Sequence, residues 1–292
     1  MPVRMRTVRA ADGRRLSVAT GGDADGKPIV VCHGTPGSGL LLEPWLDHAA
    51  ANGVHLIAYD RPGYGGSAAQ SGRTIASCAD DVRAIAFSMG LRRVAVWGIS
   101  GGGPHALACA ALMPDLVCAA ATLGSIAPYD ALGDEWAHGM GEANVEEYTL
   151  YLQDPSALKA HYGLQREAML DMRSGQVIDA IGSLVSPEEA AGLRGGLDAY
   201  FVSSVQDGLV AGIEGWWDDT VADMSPWDFD LSTIEVPVQV WHGRHDQFVP
   251  IRHGEWLIEH VPGSLACLSE TDAHLTLLNR LPEIHAWLLG HF

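Results

Sequence analysis

The sequence predicts an α/β protein: a mostly parallel sheet flanked by helices, with an inserted all-helical segment. Three observations carry that prediction. Short apolar runs alternate with helical patterns from residue 29 to residue 123. The alternation stops between residues 128 and 230, where helical segments continue without a convincing strand, and it resumes at residue 236. A glycine-flanked serine, Gly98-Ile99-Ser100-Gly101-Gly102, falls at a strand-to-helix turn inside the first block. Strands alternating with helices imply parallel pairing, with crossovers that cover both faces of the sheet. We therefore expect a core of residues 1–127 and 231–292 and a helical insertion of residues 128–230. A chain of 292 residues suffices for one such domain, burying about 75% of its unfolded surface.

The elements follow in order. Residues 8–11 and 15–19 flank Asp12-Gly13, a hairpin signal. Residues 29–32 form a short strand of the buried type, ending in His33-Gly34-Thr35-Pro36-Gly37. Residues 40–52 are helical in pattern and 54–59 make the next strand, which runs into a glycine-rich loop from Asp60 to Ser67. Thr74 is placed to cap a helix in which Ile75, Cys78, Val82, Ile85 and Met89 recur at helical spacing, with Gly90 to close it. Apolar residues 94–97 precede the serine turn, 104–113 read as helix and 117–123 as strand. Within the insertion, Ser186-Pro187-Glu188-Glu189 is a capping box with proline at the first helical position, followed by Leu193, Leu197, Tyr200 and Val205. A strand over 236–241, a helix over 254–261, a strand over 264–268 and a helix over 275–289 complete the core.

Composition narrows the function. Hydrophobic residues are 47% and charged residues 18% of the chain, a globular balance. Residues 1–10 lack a signal-peptide core, and no apolar run approaches the ~20 residues of a membrane span. Cys32, Cys78, Cys109, Cys118 and Cys267 are odd in number and scattered, without disulfide or metal spacing, which points to a reducing cytoplasm and to no metal. Of the formal net charge of −18, residues 128–230 carry −16, from 20 acidic and four basic residues. That charge argues against nucleic acid and anionic membranes as partners and leaves a small-molecule substrate. The acidic insertion is either a solvated face or a set of carboxylates turned toward a cationic substrate group. Oligomeric state is not legible.

A serine hydroxyl is a poor nucleophile until a base takes its proton and a third group orients that base. The strand, G-x-S-x-G, helix arrangement makes Ser100 the nucleophile candidate, and small residues two before and two after it let strand and helix approach. Asp246, in Trp241-His242-Gly243-Arg244-His245-Asp246, and His274, in Asp272-Ala273-His274, follow consecutive strands in the order such sites use. We assign His274 as general base then acid, and Asp246 as the group that holds its tautomer. His242 and His245 are alternative bases, and Asp130 an alternative acid. Asp272 is expected to cap the final helix. For the oxyanion, the N–H of Gly101 is one donor and that of Thr35 the second, because Pro36 has none.

These residues together resemble the α/β-hydrolase fold family. The resemblance rests on the HG-x-P loop at His33 to Pro36, the D-R-x-G-x-G-x-S-like loop at Asp60 to Ser67, and the elbow at Gly98 to Gly102. His242 to Pro250 (HGRHD-x-x-x-P) and His274 complete it. It implies that Ser100 serves hydrolysis of esters, amides or carbon–carbon bonds without a cofactor, and that the insertion is a helical cap. HGTPG and Gly98-Ile99-Ser100-Gly101-Gly102-Gly103-Pro104 are also similar to the corresponding loops of proline iminopeptidases, which bind a free amino terminus through cap carboxylates. Thr35 and Gly101 depart from that pattern, which has glycine and tryptophan there.

The expectation is a cytoplasmic serine hydrolase acting through an acyl-enzyme on a small or medium, mostly apolar carboxylic ester. An aminopeptidase of the proline iminopeptidase type is the enzymatic alternative. A ligand-binding homologue with an inert site is the alternative from another class. Which insertion side chains lie near Ser100 discriminates: carboxylates favour the aminopeptidase, and aromatic and aliphatic groups the esterase.

Overall fold

The computed structural model describes residues 3–292. Its strands are β1 (Arg4–Arg9), β2 (Arg15–Gly22), β3 (Lys27–Cys32), β4 (Val54–Tyr59), β5 (Val94–Ile99), β6 (Val117–Leu123), β7 (Val238–Gly243) and β8 (Leu265–Ser269). They form a single sheet in the order β1-β2-β4-β3-β5-β6-β7-β8. The β1/β2 and β2/β4 pairs are antiparallel, and every pair from β4 to β8 is parallel. The fold class expected from the alternating pattern is the one observed.

Core helices are α1 (Glu43–Ala51), α2 (Cys78–Ser88) and α3 (Gly103–Leu112). Between β6 and β7 come α4 (Tyr129–Leu132), α5 (Glu142–Gln153), α6 (Pro155–Asp171), α7 (Val177–Ala180), α8 (Pro187–Gly192), α9 (Asp198–Leu209) and α10 (Glu214–Asp223). Then α11 (Ile251–His260) and α12 (Leu281–Leu289) return to the sheet. None of the described helices is long and apolar enough to cross a membrane.

The period of two along each strand sorts the core. Val30, Ile57, Val96 and Val240 face one way and pack with Ile85, Leu107 and Leu257 of α2, α3 and α11. Ile29, Val31, Leu56, Trp97 and Ala121 face the other and pack with Leu46 of α1 and Leu288 of α12. Both faces being covered, β5 and β6 are buried along their whole length, which is why they read as unbroken apolar runs. Exposed β1 carries Arg4, Arg6 and Arg9, charges that resist edge-to-edge pairing.

Element boundaries differ from the sequence pattern for identifiable reasons. Ser77 Oγ accepts from the Thr74 N–H at 3.0 Å, so residues 74–77 form a lead-in turn and α2 starts at Cys78. The closing helix is split into a 3₁₀ stretch, Leu275–Arg280, and α12, because Pro282 lacks the N–H a continuing helix needs. A π-helical turn at Leu193–Leu197, with Gly196 at φ +113°, breaks the helical spacing between α8 and α9.

The order of the sheet positions the site. The chain leaves β3 toward β4 and then returns to β5 on the other side of β3, so the strand order reverses between β3 and β5. Ligands in open parallel sheets bind at such a reversal, beyond the strands' carboxyl ends. Cys32 pairs in register with Gly98, so the loop after β3 and the turn after β5 lie side by side. A Cβ at Gly98 would fall on the Gly102 carbonyl, and one at Gly102 on the Cys32 carbonyl, so both positions admit only glycine.

Two glycine substitutions test this packing. Gly102→Ala should destabilise by about 1–3 kcal/mol, because the obstacle is backbone. Gly163→Ala, in the middle of α6 with open space around it, should stabilise by about 1 kcal/mol. Urea midpoints moving in opposite directions are the expected outcome.

Candidate active site

Ser100 directly follows β5 with φ +55°, a left-handed conformation that costs a non-glycine residue about 1–3 kcal/mol. The strain is held by strand pairing on one side and by the 3₁₀ turn Ser100–Gly102 leading into α3 on the other. Thr35, in the loop after β3, lies against the residue that follows the serine. A Cβ on Gly101 would stand 2.5 Å from Thr35 Oγ1 and 3.7 Å from Thr35 N.

β7 and β8 are parallel neighbours, with Gly243 opposite Ser269, so the loops that follow them meet. There His274 Nδ1–H donates to Asp246 Oδ2 at 2.7 Å. The other carboxylate oxygen accepts the N–H groups of Phe248 at 2.9 Å and Val249 at 2.8 Å, which fixes its plane. The Phe248 ring stacks on the His274 ring, with centroids 4.7 Å apart. That leaves Nε2 as the nitrogen available to accept a proton. Burial by itself lowers the pKa of His274. The charge and hydrogen bond of Asp246, together with the charge of Glu189, outweigh it and raise the pKa above the usual 6.5. Ser100, Thr35 and His274 line one small cavity of about 60 Å³. No hydrogen bond joins Ser100 to His274 among the described residues.

Two carboxylates that the sequence analysis did not assign to the site hold its loops. Glu189, on α8, accepts the N–H of His274 at 2.6 Å and that of Leu275 at 3.1 Å. The predicted capping box is therefore half made. Ser186 Oγ accepts the Glu189 N–H at 3.1 Å, but the Glu189 carboxylate caps the turn after His274 instead. Burial pushes its pKa up to about 7, against the pull of His274 and of the two N–H groups. Asp219, on α10, is the second. Its Oδ2 accepts from Thr35 Oγ1 at 2.7 Å, Arg61 Nη2 at 2.6 Å and Tyr64 Oη at 2.8 Å, and its Oδ1 from Arg73 Nη2 at 2.5 Å. Burial opposes ionisation here, yet the charges of Arg61 and Arg73 hold the Asp219 pKa well below the carboxylate range.

Arg61 binds the same loop directly. It donates to the carbonyls of His33 and Gly34 and to Thr35 Oγ1, the last at 2.9 Å. His33 accepts the Arg61 N–H on Nε2 at 3.1 Å, and burial with the Arg61 charge keeps its pKa well below 6.5. The Arg61 motif was visible in the sequence. Its partner Asp219 was one of 20 acidic residues in the insertion and had no distinguishing pattern.

A larger cavity of about 650 Å³ opens from the same residues. Thr35, Ser100 and Gly101 line it from the core, and Tyr148, Tyr162, Phe201, Trp216, Glu147 and Asp223 from the inserted helices. Carboxylates and aromatics thus share the lining. Burial raises Glu147 to about 7, and burial with the neighbouring Asp219 charge raises Asp223 to about 8. Exposed Asp171 and Asp179 also contribute to the lining.

The remaining candidates are engaged differently, although His242 Nε2 lies 3.7 Å from Asp246 Oδ2. Buried His242 is bonded through Nε2 to the Val249 carbonyl at 2.7 Å, and His245 through Nε2 to that of Glu270 at 3.0 Å. Asp130 is exposed on α4. Asp272 does not cap the final helix. It accepts from Ser269 Oγ at 2.6 Å and Arg280 Nε at 2.8 Å, because Glu189 already occupies the helix N-terminus.

The family model described as alpha/beta hydrolase fold matches residues 27–281. The chain belongs to the α/β-hydrolase fold family. A hydrolase is the class of enzyme this membership supports. This α/β hydrolase is 29% identical over 253 residues to a non-heme chloroperoxidase of Streptomyces lividans, covering 84% of each chain. Among solved structures, it is similar to an esterase of Rhodococcus (22% identity, TM-score 0.68, 99% of each chain covered). It is also similar to a bromoperoxidase of Bacillus anthracis (21% identity, TM-score 0.70, covering 98% of this chain and 100% of that one).

The His274–Asp246 pair can be tested without any substrate. The His274 ring signal in an NMR titration is expected to move at a pH above 6.5, and in Asp246→Asn below it. The sign follows from linkage: stability gained from the raised pKa is present below pH 6.5 and is lost as pH rises through the folded-state value.

Proposed function

We propose that this α/β hydrolase cleaves small or medium, mostly apolar carboxylic esters through an acyl-enzyme on Ser100. One observation carries the reading: a buried His274–Asp246 pair at 2.7 Å stands beside a serine held at φ +55° on the wall of one shared cavity. Ser100 Oγ attacks the ester carbonyl while His274 Nε2 takes its proton. Asp246 stabilises the imidazolium and keeps Nδ1 protonated. The oxyanion is met by the N–H groups of Thr35 and Gly101, each worth about 10²–10³ in kcat. His274 then gives its proton to the leaving alcohol, and a water activated by the same nitrogen releases the acid. Residues 128–230 act as the cap. Their Tyr148, Tyr162, Phe201 and Trp216 supply the apolar share of the lining.

Glu147 and Asp223 favour a second reading, in which the substrate carries an amine, as for an aminopeptidase. An ammonium group placed between them would draw both carboxyls into the ionised state. Against it stands their desolvation, which keeps much of each protonated near neutral pH when no cation is present.

Ser100→Ala should lower hydrolysis of p-nitrophenyl butyrate by about 10⁴-fold or more and abolish labelling by a fluorophosphonate probe. Unchanged turnover in the purified variant would exclude the serine mechanism. Alanyl and N-acetylalanyl p-nitrophenyl esters separate the two readings. Similar kcat/KM for both supports the ester reading. A preference for the free amine of tenfold or more, lost in the Glu147→Gln and Asp223→Asn variants, supports the second.

A further inference from the structure

We infer that Asp219, from the inserted helices, is a positioning residue for the oxyanion donor Thr35. The inference rests on the serine-hydrolase reading above. Among the described residues the Thr35 hydroxyl bonds to no core acceptor: it donates to Asp219 Oδ2 at 2.7 Å and accepts from Arg61 Nη2 at 2.9 Å. The same Asp219 oxygen takes Arg61 Nη2 at 2.6 Å, so threonine, guanidinium and carboxylate close a three-membered ring of hydrogen bonds. Arg61 and Asp219 are shielded from water, their side chains each 1% exposed, while Thr35 is half-buried on the cavity wall. A threonine in this ring has one hydroxyl direction that satisfies both neighbours. That direction sets χ1 and, through it, the attitude of the Thr35 backbone beside Gly101.

The charge balance makes the ring specific to an acid at position 219. Arg61 and Arg73 are both buried cations, and Asp219 is hydrogen-bonded to each. Removing the carboxylate leaves two buried guanidinium groups without an anionic partner among the described residues, with only the His33 and Gly34 carbonyls and Thr35 Oγ1 left to Arg61 and the Gly215 carbonyl left to Arg73, which loads the loop that carries Thr35. Asp219 touches neither Ser100 nor the oxyanion site; it acts on them only through Thr35 and Arg61.

The test uses the full-length enzyme and the split between kcat and KM. Thr35→Val keeps the backbone N–H and the shape but removes the hydroxyl, and Thr35→Ser restores it. We expect kcat for p-nitrophenyl butyrate to fall by about 10–100-fold in Thr35→Val, the scale of a small misplacement of a catalytic group, with KM within about threefold. Thr35→Ser should recover most of the loss. The fluorophosphonate labelling rate should fall in parallel with kcat, since it draws on the same donors. Asp219→Asn should show the same kcat-only loss, and Thr35→Val added to it should cost little more, as expected of residues acting in series. A folded Thr35→Val enzyme with kcat within twofold of the wild type overturns the proposal, as does a Thr35→Ser variant no better than the valine. Should Asp219→Asn fail to fold, the valine–serine pair still decides. Ser100→Ala run alongside separates the two levels. If Ser100→Ala stays active, the serine mechanism falls and this inference with it; if only Thr35→Val stays active, the mechanism stands and the positioning role falls.

Discussion

One buried carboxylate fixes the geometry on the β3 side of the sheet. Asp219 accepts hydrogen bonds from two guanidinium groups, a phenol and a threonine hydroxyl, out of reach of water. Charges so placed are costly unless each is paired or hydrogen-bonded, and deleting one member of such a set typically costs about 3–5 kcal/mol. Arg61 in turn cannot sit where it does unless its positive charge is answered, and Arg61 holds three successive residues of the loop after β3. The position of Thr35 relative to Ser100 is therefore settled by an ion pair whose negative half comes from a different part of the chain, 158 residues away.

The same logic recurs on the β8 side. Glu189 closes the N-terminus of the 3₁₀ turn after His274, doing for that turn what a local capping side chain would otherwise do. Ordinarily a helix cap lies next to its helix in sequence; here it arrives 85 residues earlier, from α8. The loops that carry Thr35 and His274 are consequently each anchored by an acid of the inserted helices. The insertion and the sheet are one cooperative structure at this point. Displacing α8 or α10 as a lid would expose unpaired N–H groups at His274 and uncompensated guanidinium groups at Arg61 and Arg73. Access to the cavity is better served by its existing opening than by such a movement.

What the sequence disclosed and what it hid divides along the range of the interactions. The alternation of Ile29, Val30 and Val31, the buried runs of β5 and β6, and the glycines around Ser100 are consequences of near neighbours, and pattern reading recovers them. The meeting of Asp246 with His274 was also legible, because both follow adjacent strand ends and β7 pairs with β8 in parallel. Glu189 was read as half of a capping box, and the reading failed for a physical reason: a carboxylate goes to the poorest-satisfied donors within reach, and those were at His274. Asp219 left no local trace, since its partners, Thr35, Arg61, Tyr64 and Arg73, are brought to it by the fold. Asp272 looked like the cap that Glu189 turned out to be, and pairs with Arg280 instead.

The acidic insertion shows how little a net charge says until each carboxylate is placed. Asp219 and Asp223 lie one turn apart on α10, the same residue type on the same side of one helix. Asp219 meets two arginines and stays ionised far into acid. Asp223 meets no hydrogen-bond donor among the described residues, and burial plus the fixed charge of Asp219 drives its pKa to about 8. The first therefore acts on the second: an ionised carboxylate behind the wall adds to the burial that favours the protonated form of the one on the wall. Burial and the Asp219 charge together push Asp223, on the cavity wall, toward the carboxylic acid, a hydrogen-bond donor. A donor at that place suits a neutral substrate with oxygen acceptors. An ammonium group would work against both the burial and the Asp219 charge that disfavour the ionised form of Asp223. At Asp223, a residue counted as a negative charge along the chain is thus pushed toward a neutral polar contact, while exposed Asp171 and Asp179 line the same cavity.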